Sequence, residues 1–290
     1  MIGKLKRIAG KGRRNEFLWR YGFNFVPTAN YRLGSFSKPG EHERSIVDQL
    51  DRNGIAITNV SQFDGLSNFE ELIGCVDGLL NERNEELSTL KQQAQGAGPI
   101  GEKTFNVELL GSPLEFDPDC AYAKFALQHY IRNIANAYFG MRAELRYYNV
   151  WKTFATPGEA RESQLWHFDR EDNYVLKVFL YLDAVDVGAG PFTYAPGTHR
   201  KGRRWNQLPE FFFENNVRRS TDEQMSKIVP ESEWIRAIGE KGTLVFADTR
   251  GFHKGGEARD KDRLMYTCMY TSPASQSKRL LTYSTSNGAK

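Results

Sequence analysis

Residues 164–183 read QLWHFDREDNYVLKVFLYLD, and the part that begins at Tyr174 decides the fold class. It is rich in β-branched and aromatic residues, a composition typical of strands, and it predicts a strand over Tyr174–Val185. Similar segments, separated by Gly, Pro and Asp clusters, occur after residue 141 at Leu145–Phe154, Ser163–Asp169, Pro191–Pro196, Trp234–Ile238, Thr243–Asp248 and Leu264–Tyr270. Many short strands without long helices between them predict a β-sandwich or barrel.

The residues before this β-rich half predict mainly helices. We expect helices over 41–51, 67–95 and 117–138, and a strand over 55–60. The chain is therefore divided into a basic and aromatic N-terminal arm and a single domain. The boundaries are 1–40 for the arm and 41–290 for the domain, with a helical lead-in over 41–140, a β core over 141–275 and a polar, lid-like insertion over about 201–230.

Composition excludes several classes of protein. Apolar residues are 40% and charged residues 26% of the 290 residues, which is typical of a globular chain. The three cysteines, Cys75, Cys120 and Cys268, lack the spacing of a disulfide framework or a thiolate zinc site, and they favour a cytoplasmic protein. No apolar run approaches the roughly 18 residues that span a bilayer.

The net charge of +3 is distributed unevenly, because the first 20 residues carry seven basic side chains and one acid. The rest of the chain is weakly acidic and carries no nucleic-acid-binding motif, so we expect no nucleic-acid partner. Aromatic residues follow the basic ones at Phe17, Trp19, Tyr21, Phe23 and Phe25. Two interpretations stay open: these rings pack on the body of the protein, or the arm makes a peripheral contact with an anionic membrane or partner.

Three residues of the β-rich half suggest a metal centre. His167 and Asp169 are two positions apart in a predicted strand, so their side chains face the same side. A second imidazole, that of His253, follows the predicted strand Thr243–Asp248. Two histidines and one carboxylate form the facial triad of non-haem Fe(II) oxygenases, which leaves coordination positions open. Zinc also accepts this set of ligands.

Arg263 stands at the start of the strand that follows His253. A buried guanidinium binds a carboxylate through two parallel hydrogen bonds. If the two residues lie on neighbouring strands of one barrel, a small dicarboxylate could chelate iron with its α-keto acid and reach Arg263 with its distal carboxylate. The pattern therefore points to 2-oxoglutarate.

The stretch from Trp166 to Thr271 resembles the phytanoyl-CoA dioxygenase family of Fe(II)/2-oxoglutarate oxygenases. Residues 166–169, WHFD, resemble the family's WHxD motif, and residues 179–183, FLYLD, resemble one of its strands. Residues 190–200, GPFTYAPGTHR, and residues 242–256, GTLVFADTRGFHKGG, resemble its GP…PGSHR and GD…D…HGG segments. The four motifs occur in the family's order.

This resemblance implies a mainly β fold with flanking helices: a double-stranded β-helix (jelly roll, cupin-like) core with helices packed on one sheet. It implies that His167, Asp169 and His253 bind Fe(II) and that Arg263 binds 2-oxoglutarate. The chain would then be a dioxygenase that uses O2 to hydroxylate an unactivated C–H bond, with release of succinate and CO2. Asp169 favours hydroxylation over halogenation, because the related halogenases carry a small residue in its place.

Further residues are candidates for binding 2-oxoglutarate. Phe179 stands where the family often has Trp, and Lys152 resembles a lysine that often precedes WHxD. If Phe179 faces the cofactor, strand parity also turns Lys177 inward, where it could bind a carboxylate of the cosubstrate or substrate. The alternative for Lys177 is a salt bridge at the surface. Asn149 and Gln164 could donate hydrogen bonds to 2-oxoglutarate or the substrate.

The substrate is expected to be a small metabolite or biosynthetic intermediate. A basic cluster near the insertion either attracts an anionic substrate or is a solvated loop, and its members are His199, Arg200, Lys201, Arg203, Arg204, Arg218 and Arg219. The arm favours an amphiphilic substrate. Two other functions stay open, a catalytically silent jelly-roll module that binds a ligand or partner, and a zinc hydrolase. The oligomeric state stays open too.

Overall fold

The computed structural model describes residues 15–34, 38–63, 67–95, 104–209, 218–278 and 280–282. Its strands are β1 Ile55–Asn59, β2 Asn106–Glu108, β3 Leu114–Glu115, β4 Glu144–Thr153, β5 Leu176–Tyr181, β6 Thr193–Tyr194, β7 Ile235–Arg236, β8 Thr243–Asp248, β9 His253–Lys254, β10 Arg263–Thr271 and β11 Leu281–Thr282. Six of them form an antiparallel sheet in the order β1-β8-β5-β10-β4-β2. A smaller antiparallel sheet has the order β7-β6-β9, and β3 pairs with β11.

Helices cover one face of the larger sheet. The helices of the described chain are α1 Phe25–Arg32, α2 Glu41–Asn53, α3 Ser67–Glu82, α4 Asn84–Ala94, α5 Ala121–Ala126, α6 His129–Phe139 and α7 Asp222–Ser226, and a π-helical turn over Leu18–Phe23 precedes α1. Helices α2 to α6 contribute to the core on that face of the sheet, whereas α7 contributes Met225 to a separate cluster with Trp166 and Trp234. Glycines end two of the long helices. Gly54 after α2 has φ +83° and Gly140 after α6 has φ +64°, a left-handed conformation that stops a helix and that glycine adopts without strain.

Alternation along the strands separates two apolar cores. On β5, Val178 and Leu180 belong to the core between the sheet and the helices. Phe179 and Tyr181 face the other way, toward Tyr194 of the smaller sheet, and form the core between the two sheets. The space between the two sheets corresponds to the interior of the predicted jelly roll. The candidate metal ligands lie in this space.

Two predicted helices are interrupted. The helix predicted over 67–95 bends at Arg83, whose guanidinium donates a hydrogen bond to the Leu109 carbonyl oxygen. The helix predicted over 117–138 starts later and breaks at Gln128, whose ψ of 142° is extended. The second part, α6, buries eight of its residues. Tertiary packing of these residues therefore outweighs the local preference for one continuous helix.

The strand predicted over 163–169 is reduced to isolated bridges. A 3-10 turn over Glu162–Gln164 occupies its first residues, so the extended part starts only afterwards. Trp166 then bridges to Ser220, and His167 bridges to His253. Trp166 packs outside the cavity, and His167 and Asp169 line it as alternation predicts, but Phe168 between them also reaches the cavity wall.

Part of the predicted N-terminal arm lies against the body of the protein. The side chain of Trp19 is only 1% exposed, and its indole nitrogen donates a hydrogen bond to Asp172. Residues 1–14, with six of the basic side chains, and residues 210–217 of the insertion lie outside the described residues. The division into an arm and one domain stays a prediction. In the described part of the chain, no helix has both the length and the apolar character needed to cross a bilayer.

Candidate active site

His167, Asp169 and His253 meet in the cavity between the two sheets. One ligand atom from each residue lies within 4.8 Å of the others. Two backbone hydrogen bonds, of 3.0 and 2.9 Å, join His167 to His253, and the two imidazole centroids are 4.3 Å apart. The structure thus brings together the three residues that sequence reasoning selected as metal ligands.

Hydrogen bonds decide which nitrogen each imidazole presents. Nδ1 of His167 lies 2.8 Å from the Leu165 carbonyl oxygen, and Nδ1 of His253 lies 3.0 Å from that of Gly251. A carbonyl oxygen only accepts, so Nδ1 carries the proton and Nε2 keeps a free lone pair. Burial lowers the pKa of both rings, to about 4 for His253, and the neighbouring His253 lowers that of His167 further. Both imidazoles are therefore neutral at pH 7 and able to bind a cation.

The ammonium group of Lys177 forms an ion pair with one carboxylate oxygen of Asp169. Its Nζ lies 2.7 Å from Asp169 Oδ2. Burial alone would raise the pKa of Asp169, but Lys177 and the two histidines hold that pKa well below its usual range. Burial likewise disfavours the charged lysine, but Asp169 and Glu171 outweigh it and raise the pKa of Lys177. Asp169 is thus a carboxylate with one oxygen engaged, which leaves Oδ1 for a metal. Lys177 faces inward, as parity predicted, and its partner is a carboxylate of the protein.

Arg263, the first residue of β10, carries unpartnered donors in the same cavity. It is 5% exposed, and Nη2 lies 3.4 Å from Thr153 Oγ1. Its Nε and Nη1 are buried and have no hydrogen-bond partner in the described part of the chain. Burial also lowers the pKa of this guanidinium, which nevertheless stays charged at neutral pH. Buried donors of this kind need a partner, and a carboxylate is the partner that a guanidinium binds best.

Aromatic rings form the wall beside the candidate ligands. The rings of Phe179 and Phe192 have centroids 4.7 Å apart, and Phe192 stacks on the imidazole of His253 at 5.5 Å. Phe179 therefore lines the cavity, and its contact with a cofactor stays a prediction. These rings restrict the orientation of His253 and keep water away from one side of it.

The turn that carries His253 starts at Asp248, and it depends on contacts with Tyr138 and Tyr194 that sequence reasoning missed. The Tyr138 hydroxyl of α6 donates to Oδ2 of Asp248, which is fully buried at the end of β8. Gly251 passes so close to Tyr194 that an added Cβ would lie 2.0 Å from the Tyr194 hydroxyl oxygen. Only glycine fits there, and the tight turn then places His253. Tyr138 lies in a helix with no motif around it, so no sequence signal pointed to it.

Lys152 does not reach the cavity, contrary to the expectation. It lies on the helix-side face of β4, and its Nζ is 3.9 Å from Oδ2 of Asp262. The neighbouring residue Trp151 faces the cavity instead. Successive residues of a strand point to opposite faces, so the position next to a cavity-lining residue is directed away from it.

Asn149 and Gln164 lie near the cavity, but their side-chain amides are hydrogen-bonded to the protein backbone. Asn149 Oδ1 accepts a hydrogen bond from the Leu110 backbone, and Nδ2 donates to the Gly111 carbonyl oxygen. Gln164 Oε1 accepts from the backbone N–H of Arg161. Neither side chain is among the residues that line the cavity. Their expected hydrogen bonds to 2-oxoglutarate are therefore not favoured by this arrangement.

The basic cluster near the insertion is largely neutralised. His199 is buried, and the ion pairs of the next four members are Arg200–Glu16, Lys201–Asp51, Arg203–Glu233 and Arg204–Glu233. Arg218 and Arg219 remain, and both line the cavity. The described ranges show no hydrogen bond or ion pair of either side chain, although the charges of Glu162 and Asp169 favour the charged form of Arg219. Burial lowers the pKa of Arg219, and its charge acts on both candidate histidines.

The cavity that contains all these residues has a volume of about 1450 Å³. One part of its wall is apolar and includes Tyr147, Trp151, Met265, Met269 and Leu280. Another part carries the charged groups already described. A cavity of this size exceeds what a dicarboxylate alone fills, so room remains for a second, larger molecule.

A set of two histidines and a carboxylate beside a buried, unpartnered guanidinium inside a jelly roll defines a class, the 2-oxoglutarate-dependent oxygenases. The phytanoyl-CoA dioxygenase (PhyH) family model matches residues 113–264, just over half of the chain. The chain therefore belongs to the phytanoyl-CoA dioxygenase family. It is a dioxygenase whose cofactors are Fe(II), 2-oxoglutarate and O2. The residues present fit these groups, because the free Nε2 atoms suit iron and the orphaned donors of Arg263 suit a carboxylate.

The two EctD structures among the similar solved structures agree with this fold. EctD from S. alaskensis in its apo form has a TM-score of 0.54 and 14% sequence identity, covering 84% of this chain and 81% of that one. EctD with 2-oxoglutarate and 5-hydroxyectoine has a TM-score of 0.53 and 13% identity, covering 85% and 81%. AviO1 from Streptomyces viridochromogenes Tue57 has a TM-score of 0.48 and 16% identity, covering 81% and 97%. No curated protein matches the sequence. The predicted jelly roll with flanking helices is confirmed.

Proposed function

We propose that this dioxygenase hydroxylates an unactivated C–H bond of a small molecule and releases succinate and CO2. One observation carries the proposal: His167, Asp169 and His253 lie within 4.8 Å of one another in the cavity that also holds the unpartnered donors of Arg263. A carboxylate among the ligands, where a halogenase needs a vacancy for chloride, favours hydroxylation.

Each of these residues has a role that follows from its contacts. His167 and His253 would hold the iron through Nε2, and Asp169 would hold it through Oδ1. Arg263 would bind the distal carboxylate of 2-oxoglutarate through its free N–H groups. When bound, iron and 2-oxoglutarate supply the oxidation, in which one oxygen of O2 enters succinate and the other enters the substrate.

Lys177 would keep Asp169 a ligand through one oxygen only. Because Nζ holds Oδ2 at 2.7 Å, the carboxylate does not rotate to offer both oxygens to the metal. His167, Asp169 and His253 would each hold the metal through one atom, which would leave room at the metal for the keto acid and O2. A carboxylate bound through both oxygens would occupy part of this room.

An anaerobic titration tests this function. Fe(II) and then 2-oxoglutarate are added to metal-free protein, and the weak visible charge-transfer band of the chelate is recorded. We expect the band in the wild type and in His129→Ala, because His129 is exposed and remote from the cavity. We expect no band in His253→Ala. A folded wild-type protein without the band would favour the silent-module function, and tight Zn(II) binding without dependence on 2-oxoglutarate would favour the zinc hydrolase.

The substrate would be anionic or amphiphilic. The cavity joins an apolar wall that includes Met269 and Leu280 to Arg219, a guanidinium with no partner in the described ranges. A charge-assisted hydrogen bond from Arg219 to an anionic group would hold a substrate whose apolar part contacts that wall. A substrate of this chemistry uses both parts of the cavity.

Octyl phosphate is a suitable probe for this substrate class. Calorimetric titration into the anaerobic Fe(II)/2-oxoglutarate protein should show binding that Arg219→Gln weakens by about tenfold or more, the effect of one charged hydrogen bond. Arg203→Gln is the matched control, because Arg203 lies in the same insertion with its side chain 75% exposed and pairs with Glu233. Equal affinities in both variants would remove Arg219 from the substrate site while leaving the charge-transfer result unaffected. A cytoplasmic location is part of the proposal, in line with three free cysteines.

A further inference from the structure

Residues 15–34 carry an unusual concentration of exposed apolar side chains. Of the ten large hydrophobic residues that are exposed in the described part of the chain, seven lie here, namely Phe17, Leu18, Tyr21, Phe23, Phe25, Val26 and Leu33. We call these seven the N-terminal apolar face. Phe25 and Val26 are 60% and 63% exposed, and Leu33 is 83% exposed. Scattered apolar residues are normal on a protein surface, but seven within one short segment, with the rings of Phe17 and Tyr21 5.1 Å apart, indicate an interaction site.

The inward side of the same segment makes several hydrogen bonds to the body of the protein. Trp19 donates to Asp172 at 2.7 Å, and Arg20 donates to the Phe139 carbonyl oxygen at 2.6 Å. Asn24 is fully buried, with Nδ2 donating to Ser272 Oγ and Oδ1 accepting from a backbone N–H. An ordinary surface helix turns its apolar side to the protein and its polar side to water. In this segment Trp19 packs inward on Tyr174 beside these polar contacts, whereas the seven residues of the N-terminal apolar face are turned outward.

The charges around this face are positive. Arg32 is an exposed residue of the segment, and Arg142 is exposed beside it, with its backbone N–H donating a hydrogen bond to the Pro27 carbonyl oxygen. The acid Glu16 is paired with Arg20. Residues 1–14, which precede the segment, carry six basic side chains and no acid. Aromatic and aliphatic residues flanked by Lys and Arg are the composition that binds an anionic lipid surface.

We propose that the N-terminal apolar face docks on an anionic membrane surface. The apolar side chains enter the boundary between headgroups and acyl chains, and the basic side chains remain among the headgroups. This inference is independent of the reaction proposed above. It also places the cavity beside the membrane, because Trp19 belongs to the docking segment and lines the cavity.

Vesicle flotation with the full chain tests the docking. Wild-type protein is mixed with phosphatidylcholine vesicles or with mixed phosphatidylcholine/phosphatidylglycerol vesicles, at low and at high salt. We expect binding to the mixed vesicles only, weakened by salt. The variant Phe25→Ser/Val26→Ser should lower the partition coefficient by at least about tenfold, because two exposed apolar side chains no longer enter the lipid.

A matched variant separates docking from a general loss of apolar surface. Val187 and Ile238 are 69% and 50% exposed and lie elsewhere on the protein. Val187→Ser/Ile238→Ser should bind vesicles like the wild type. Equal binding of the two double variants would overturn the proposal, as would no binding of the wild type to anionic vesicles. Light scattering that shows a wild-type dimer and a Phe25→Ser/Val26→Ser monomer, without vesicle binding, would overturn it in favour of a second copy of the chain.

Discussion

Replacing Lys177 with methionine removes the ammonium that lies 2.7 Å from Asp169 Oδ2 and keeps the length of the side chain. The two side chains are 24% and 12% exposed, so water screens the pair only in part. At 2.7 Å and an effective dielectric constant of about 20, the attraction is about 6 kcal/mol. The cost of withdrawing both charges from water offsets part of this, and removing one partner of such a pair costs about 3–5 kcal/mol.

The residual exposure of Lys177 places the expected loss near the lower end, about 3 kcal/mol. Unfolding entropy is about 2.1 cal/mol/K per residue, so for 290 residues this loss lowers Tm by about 5 °C. The assay is thermal unfolding of metal-free protein for Lys177→Met, Asp169→Asn and the double variant. Lys177→Met should cost at least about 2 kcal/mol less in the Asp169→Asn background, because the buried charge is already gone.

An equal cost of Lys177→Met in both backgrounds would refute the ion pair as the origin of the effect. A second measurement connects the pair to the metal. Adding Fe(II) anaerobically should narrow the Tm difference between the wild type and Lys177→Met, because a divalent cation compensates the Asp169 charge that the lysine no longer faces. Lys177→Arg should stay close to the wild type in both conditions.

Three further outcomes are expected. Arg263→Gln should raise the Kd for 2-oxoglutarate by at least about 100-fold, because two charged hydrogen bonds are lost. The affinity for Fe(II), measured in the same anaerobic calorimetry, should be unchanged. A lower affinity for Fe(II) would contradict a role of Arg263 that is confined to binding the carboxylate. Tyr138→Phe should lower the free energy of unfolding in urea by about 1–3 kcal/mol, because buried Asp248 loses a donor, and an unchanged value would argue against that hydrogen bond. Cys75 is exposed and should react with Ellman's reagent in the native protein, whereas Cys268, buried and with a raised pKa, should react only after unfolding.

The candidate metal ligands were predictable from the sequence, because strand parity or a motif determines their positions. The two-residue spacing of His167 and Asp169 brought both side chains into one cavity, although the predicted strand is only a short bridged piece. The same rule turned Lys177 inward with Phe179. Applied to β4, it also separates Lys152 from Trp151, so the prediction for Lys152 was avoidable from the sequence.

Local sequence patterns do not show which groups form hydrogen bonds or ion pairs with these side chains. Asn149 lies on a strand, but its amide is bonded to Leu110 and Gly111, which precede it by a whole pair of helices. Four members of the basic cluster are paired with acids that are distant in the sequence, such as Glu16 for Arg200. Composition indicates which charges exist, whereas only the fold decides which of them are already paired.

The N-terminal segment shows the same distinction for apolar residues. Its aromatic composition was evident in the sequence, and both interpretations of it, packing on the body and contact with a membrane, rested on the same rings. The structure divides those rings: Trp19 is buried, and Phe17 and Phe25 are exposed. Trp19 is held inward by its hydrogen bond to Asp172, and buried Asn24, whose amide is bonded inward to Ser272, fixes the start of the helix that carries Phe25. A buried hydrogen-bonding residue at one position can thus turn its apolar neighbours toward solvent. The mean hydropathy of the segment does not show which way these side chains face.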